Sequence, residues 1–134
     1  MSMTADQDYD SALLEGLRHP RPDIAEICAW VLGQRRTRRA VAALIAVLRE
    51  RRDELDVQAA AIRALGRIGD PSAFPALVDA ARSGAVPVRR AALRALVDID
   101  AERARPMLRA IAASDPSPGV RAAAQQLLRE ESDP

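Results

Sequence analysis

The side chains best suited to chemistry in this sequence are its single histidine, His19, and its single cysteine, Cys28. A thiol beside an imidazole can serve a nucleophilic enzyme, and both residue types ligate zinc. One of each falls short of a four-ligand site without carboxylates or a second chain. His19 precedes Pro20, which puts it in a turn and predicts exposure to solvent. Cys28 falls at a position filled by Ala61, Ala92 and Ala124 elsewhere in a recurring pattern, which predicts packing in a core. Two motif-like strings also fail on context. Gly66 to Gly69, "GRIG", follows a helical pattern rather than a strand and reads as a helix end, not a phosphate loop. The string "RDEL" ends at Leu55, inside the chain, where a retention signal is not read. We therefore expect no enzyme activity, no cofactor and no metal.

Arginine remains. The chain has 20 basic residues, all arginine, against 19 acidic ones, for a net charge of +1. Guanidinium groups bind carboxylates and phosphates in a bidentate fork, so their positions matter more than their sum. Arg35, Arg36, Arg38 and Arg39 crowd "QRRTRRA", and an anionic partner or the nearby Glu50, Asp53 and Glu54 can hold them. Aromatic residues make up only 2% of the chain. Without stacking side chains or a wide basic surface, nucleic-acid binding is disfavoured.

The elements that position these residues are helices. At 134 residues the chain suits one domain, and its 49% hydrophobic content comes almost wholly from Ala, Leu, Ile and Val. The longest apolar run, "AVAALIAVL", is too short to span a bilayer, and "MSMTADQDYD" lacks the basic start and apolar run of a secretory leader. A cytoplasmic protein without a membrane segment is expected.

Aligning the sequence with itself finds equivalent starts at Ile24, Val57, Val88 and Val120, separated by 33, 31 and 32 residues. Three and four residues past these starts lie Ile27 and Cys28, Ala60 and Ala61, Ala91 and Ala92, and Ala123 and Ala124. Seven and eight past them lie Val31 and Leu32, Ala64 and Leu65, Ala95 and Leu96, and Leu127 and Leu128. These offsets trace one apolar stripe on a helix of period 3.6. A second helix follows in each unit, centred on Leu44, Leu77 and Leu108. Start signals are Asp23, Thr37, Asp56, Asp70 with Pro71, Pro87, and Ser117 with Pro118.

This organisation predicts an all-α, right-handed α-solenoid of stacked antiparallel helix pairs, with about eight helices near 10–18, 22–35, 38–51, 55–68, 71–83, 87–98, 102–114 and 118–130. Residues 10–130 form the single domain: a half repeat at 10–21, repeats at 22–54, 55–85 and 86–116, and a terminal half repeat at 117–130. Residues 1–9 and 131–134 are expected to be loose.

The string "VQAAAIRALGRIGDPSAFPALVDAA" from Val57 resembles a HEAT repeat, of the short bacterial type found in phycobilin lyase-like proteins. The resemblance spans about 12–130. It departs from the Gly-Asp-Pro turn at "LGQRRTRR" and "LVDIDAER". It implies a binding scaffold whose second helices line an inner surface. It also permits a lyase-like chromophore or cofactor-handling subunit, or a nucleic-acid accessory protein. HEAT-like hydroxylases hold iron through His-Glu pairs, and this chain has none.

On the inner surface the repeat register aligns Arg39 with Arg103 and Arg49 with Arg82, with Met107 and several alanines between them. These arginines predict a groove for an acidic or helical segment of another protein. Trp30 falls in the outward column of Arg63, Arg94 and Gln126, as an interface anchor or as a cover for the N-terminal helix. The last helix has no second helix to cover Val120, Leu127 and Leu128, so either the acidic tail and the neighbouring helix cover them or another chain packs there, as in a homodimer through that end.

Overall fold

The computed structural model describes residues 2–132, and side chains within 7–131. Among these residues are seven α-helices: α1 (Ser2–Gly16), α2 (Pro22–Gln34), α3 (Val41–Glu50), α4 (Leu55–Ile68), α5 (Phe74–Ser83), α6 (Val86–Ser114) and α7 (Pro118–Ser132). Short 3₁₀ turns, Arg38–Ala40 and Pro71–Ala73, lead into α3 and α5. Inside α6, Asp100 leaves helical geometry at φ −159° and ψ 94°, dividing 86–99 from 101–114. The eight expected helical segments are therefore present, in an all-α stack of helix pairs.

Both ends differ from expectation. The helix begins at Ser2 rather than near residue 10. Its second half is tied down by the turn after α2: the Arg35 guanidinium lies 4.8 Å from the Tyr9 ring centre and Arg35 Nε donates to Asp10 Oδ1 at 3.2 Å. At the other end α7 runs on to Ser132, while residues 133 and 134 of the expected tail lie outside the described residues.

The apolar stripe forms the core. Val57, Ala61 and Leu65 of α4, Val88, Ala92 and Leu96 of α6, and Val120, Ala124 and Leu127 of α7 are all buried. In α2 the buried set is instead Ala25, Ala29 and Leu32, which leaves Cys28 half-buried and Ile27 61% exposed, against the expectation that both lie in the core stripe. The position of Ile27 sits at the edge of the stripe. Alanine fits beneath its neighbours there, as Ala60 does, but the larger isoleucine projects.

The first helices of the repeats, α2, α4, the first half of α6 and α7, pack directly on one another. Two glycines allow this. A Cβ on Gly33 would lie 2.8 Å from Ala64 Cα, and one on Gly66 would lie 3.0 Å from Ala95 Cα. Gly66 is thus a contact point between helices, not the helix terminator expected of it. Gly69 ends α4, with φ +76°. One repeat earlier Arg36 takes the same left-handed conformation at φ 50°, and its N–H bonds to Gly33 O at 3.0 Å. One repeat later Asp100 makes the turn in an extended conformation and accepts from Arg103 N at 3.0 Å. One position thus reverses the chain by two different backbone routes, which is why the turn motif fades while the helix pair persists.

The starts of the helices are also met in different ways. Asp70 accepts from Ser72 N at 2.9 Å, as its type predicts, and Ser117 Oγ accepts from Val120 N at 3.4 Å. Thr37 makes no side-chain cap bond, and Asp23 and Asp56 lie within the first turns of α2 and α4, where a carboxylate favours the helix dipole instead.

A single repeat position joins each helix pair to the next. Gln58 donates to Leu48 O at 3.2 Å, Arg89 to Gly84 O at 2.8 Å, and Arg121 to Asp115 O at 2.6 Å. Each satisfies a carbonyl left open in the last turn of a second helix or just after it. The first repeat has Ala25 here, which cannot donate. Arg51 replaces it from the turn after α3, donating to Leu17 O at 3.2 Å and His19 O at 2.7 Å. Arg89 also forms a fork with Asp115, at 3.1 and 3.0 Å, in a nearly dry setting.

Candidate protein-binding faces

No helix among the described residues is long and apolar enough to cross a membrane. Nor do they hold a group of three His, Cys, Asp or Glu side chains placed to bind a metal. His19 is a turn residue, its Nδ1 accepting from Arg21 N at 3.0 Å. Cys28 packs its sulfur against Gly16 of α1, and burial pushes its thiol pKa up, away from the reactive thiolate.

Two faces remain as places for a partner. On the second-helix face, α3 and α5 stand apart and leave a groove of about 570 Å³ between them. Ile45, Leu48 and Leu55 give it apolar walls, with Val88 beneath. Arg49 and Arg52 border one side and Asp79 the other. Neither arginine has an ion-pair or hydrogen-bond partner among the described residues. The first helices meet through glycine and alanine, whereas across the groove α3 presents Ile45, Leu48 and Arg49 and α5 presents Pro75, Ala76, Asp79 and Ala80.

The four aligned arginines do not share this groove. Arg49 lines it, and Arg82 is exposed on the last turn of α5, outside the lining. Arg39 donates to Ser11 Oγ at 3.3 Å and helps hold α1. Arg103 stacks on Phe74, its guanidinium 4.1 Å from the ring centre. Met107 is half-buried against the core. Two aligned arginines thus have intramolecular work, which a repeat register alone does not reveal. Arg52 and Leu55, which the alignment passed over, complete the groove; their signal was their place in the turn after α3 and at the start of α4.

On the first-helix face, Trp30 is 59% exposed beside Ile27. Both line a furrow of about 400 Å³ between α2 and α4, with Ala60 and Ala64 on its floor and Arg63 and Arg67 on its far wall. Trp30 therefore does not fold over α1. At one end of the furrow lie Glu26 and Asp23; the Asp23 carboxyl is held below the usual range by its bond to Arg21 at 2.7 Å. The sequence reading placed Ile27 in the core stripe and Arg63 in the outward column of Trp30, and passed over Arg67, one turn of α4 beyond Arg63.

The C-terminal end is closed. Val120 and Leu127 are buried against α6, so two of the three apolar residues expected to lie open there are covered, and only Leu128 stays half-buried. The terminal half repeat needs no second helix because α6 supplies the opposing surface. This removes the expected basis for a dimer through α7.

No curated protein matches the chain. The sequence pattern of HEAT repeats matches it over residues 11–91 and, in an overlapping window, 51–129. With the repeated helix pairs, the stacked first helices and a match running from residue 11 to 129, the chain belongs to the HEAT-repeat family.

Proposed function

We propose that this chain is a non-catalytic protein-interaction scaffold of the cytoplasm, whose α3/α5 groove receives an amphipathic helical segment carrying carboxylates. The observation that supports this reading is the pairing of an apolar groove with two unpartnered arginines, Arg49 and Arg52, on its border. Apolar side chains of the segment enter between Ile45, Leu48 and Leu55, and its carboxylates meet the guanidinium forks. Arg82, just beyond the groove, extends the basic border. Asp79 on the opposite wall sets the orientation by repelling a carboxylate placed there. The stacked helices hold these groups in place before binding, so little ordering entropy is lost.

The test is a selection of helical peptides displayed on phage against the purified protein, followed by titration against the Arg49→Glu/Arg52→Glu variant. The selected peptides should combine an apolar stripe with acidic residues and lose about thirtyfold or more in affinity for the variant. Peptides that bind both proteins equally would rule the groove out. A parallel titration with a linear tetrapyrrole separates this reading from chromophore handling, which would show as induced visible absorbance.

A further inference from the structure

The α2/α4 face combines a ridge, a furrow and both signs of charge within one small patch. Ile27 and Trp30 stand out from α2, at 61% and 59% exposure, beside a furrow floored by Ala60 and Ala64. Arg63 and Arg67 on the far wall have no ion-pair or hydrogen-bond partner among the described residues, and neither has Glu26 on the near side. A large aromatic side chain left in water beside an apolar furrow marks a contact surface.

An interface between two identical chains related by a two-fold axis uses the same patch twice, so that patch must complement itself. This one does. With the axis crossing the helices near Trp30, α2 of each copy lies antiparallel over α2 of the other, which brings the Glu26 end of one patch to the Arg67 end of its mate. The ridge of Ile27 and Trp30 then enters the opposing furrow, where the two indoles come close enough to stack. Glu26 of each copy approaches Arg63 and Arg67 of the other. The arrangement gives Glu26 a partner that it lacks within one chain, and the net charge of +1 leaves little long-range repulsion to oppose it.

We propose that the protein forms a two-fold homodimer through the α2/α4 patch, with Trp30 as its anchor and Glu26 facing Arg63 and Arg67 across the interface. This surface is separate from the α3/α5 groove, so either assignment can fail without the other.

Analytical ultracentrifugation of the full chain from about 1 µM to 1 mM provides the test, a range that covers weak and moderate self-association. The wild type should shift from monomer to dimer with concentration. Trp30→Ala should weaken the dimer by about thirtyfold or more, as expected on losing a central aromatic anchor. Glu26→Arg alone, and Arg63→Glu with Arg67→Glu, should each weaken it. All three charge changes together should restore much of the loss, because the pairing is re-formed with the signs exchanged. If Trp30→Ala does not fold, the charge exchange decides alone. A wild type that remains monomeric throughout, or a dimer that none of these changes weakens, would overturn the proposal.

Discussion

The two helix layers are built on opposite packing rules. In the first-helix layer Gly33 and Gly66 bring backbones against Ala64 and Ala95, and the buried residues form one continuous row from Ala25 to Leu127. In the second-helix layer α3 and α5 keep apart, and half-buried Ile45 and Leu48 line the space between them. Glycines at the contact points make a close-fitting spine, and the separation of α3 from α5, with small residues on the α5 wall, leaves room for a guest. One helix pair, repeated, thus supplies both a rigid support and a receptive surface. The division of labour comes from how closely the helices of each layer approach, not from a change of fold.

Breaking the spine should cost more than altering the groove. Leu65→Ala, at a fully buried position of α4, should destabilise by about 4 kcal/mol in urea unfolding, while Leu48→Ala at the half-buried groove wall should cost about 1 kcal/mol. Equal losses would mean that the two layers do not differ as described.

Next in size is the clamp between α6 and α7. Asp115→Ala leaves the mostly buried Arg89 with only its bond to Gly84 O and should cost about 2 kcal/mol. The hydrogen bond from Arg89 holds the Asp115 carboxyl below the usual carboxylate range, with the Ser117 N–H and the Arg121 charge adding to it against the opposing effect of burial. Because the folded pKa is the lower one, this stabilisation is complete above the unfolded value of about 4 and is lost as pH falls below it. Asp115→Asn should flatten that acid limb of the stability curve. An unchanged slope would remove Asp115 from the account of acid sensitivity.

The smallest effects sharpen the contrast by sign. Gly33→Ala forces a Cβ to within 2.8 Å of the Ala64 backbone and should destabilise by about 1 kcal/mol, the overpacking outweighing the gain in helix propensity. Gly119→Ala faces open space apart from Ser117 Oγ at 3.7 Å and should stabilise by about 0.5 kcal/mol. Thermal unfolding of the two variants should shift in opposite directions. Shifts of the same sign would deny the close approach at Gly33.

The fold was legible because its signal is redundant. Val57, Ala61 and Leu65 repeat their spacing in α6 and α7, and Gly69 with Asp70 marks a turn by type alone. Surface assignments had no such support. Alanine at 60, 91 and 123 fits an edge position without revealing where a larger side chain would point, so Ile27 was indistinguishable from a core residue. Arg39 and Arg103 share a column with each other, but Ser11 and Phe74, which engage them, lie in other segments. The early start of α1 was missed for a similar reason: Tyr9 and Asp10 gain their anchorage from Arg35, across the chain. Periodicity records which residues share a helix face; it does not record what that face meets.

The most direct measurement of the central claim is amide hydrogen exchange on the protein with and without the strongest peptide from the helical selection. Slowed exchange across residues 41–55 and 74–85, with 22–34 unaffected, is the predicted result. Slowed exchange confined to α2 and α4 around Trp30, with α3 and α5 unchanged, would contradict it and transfer the recognition role to the opposite face.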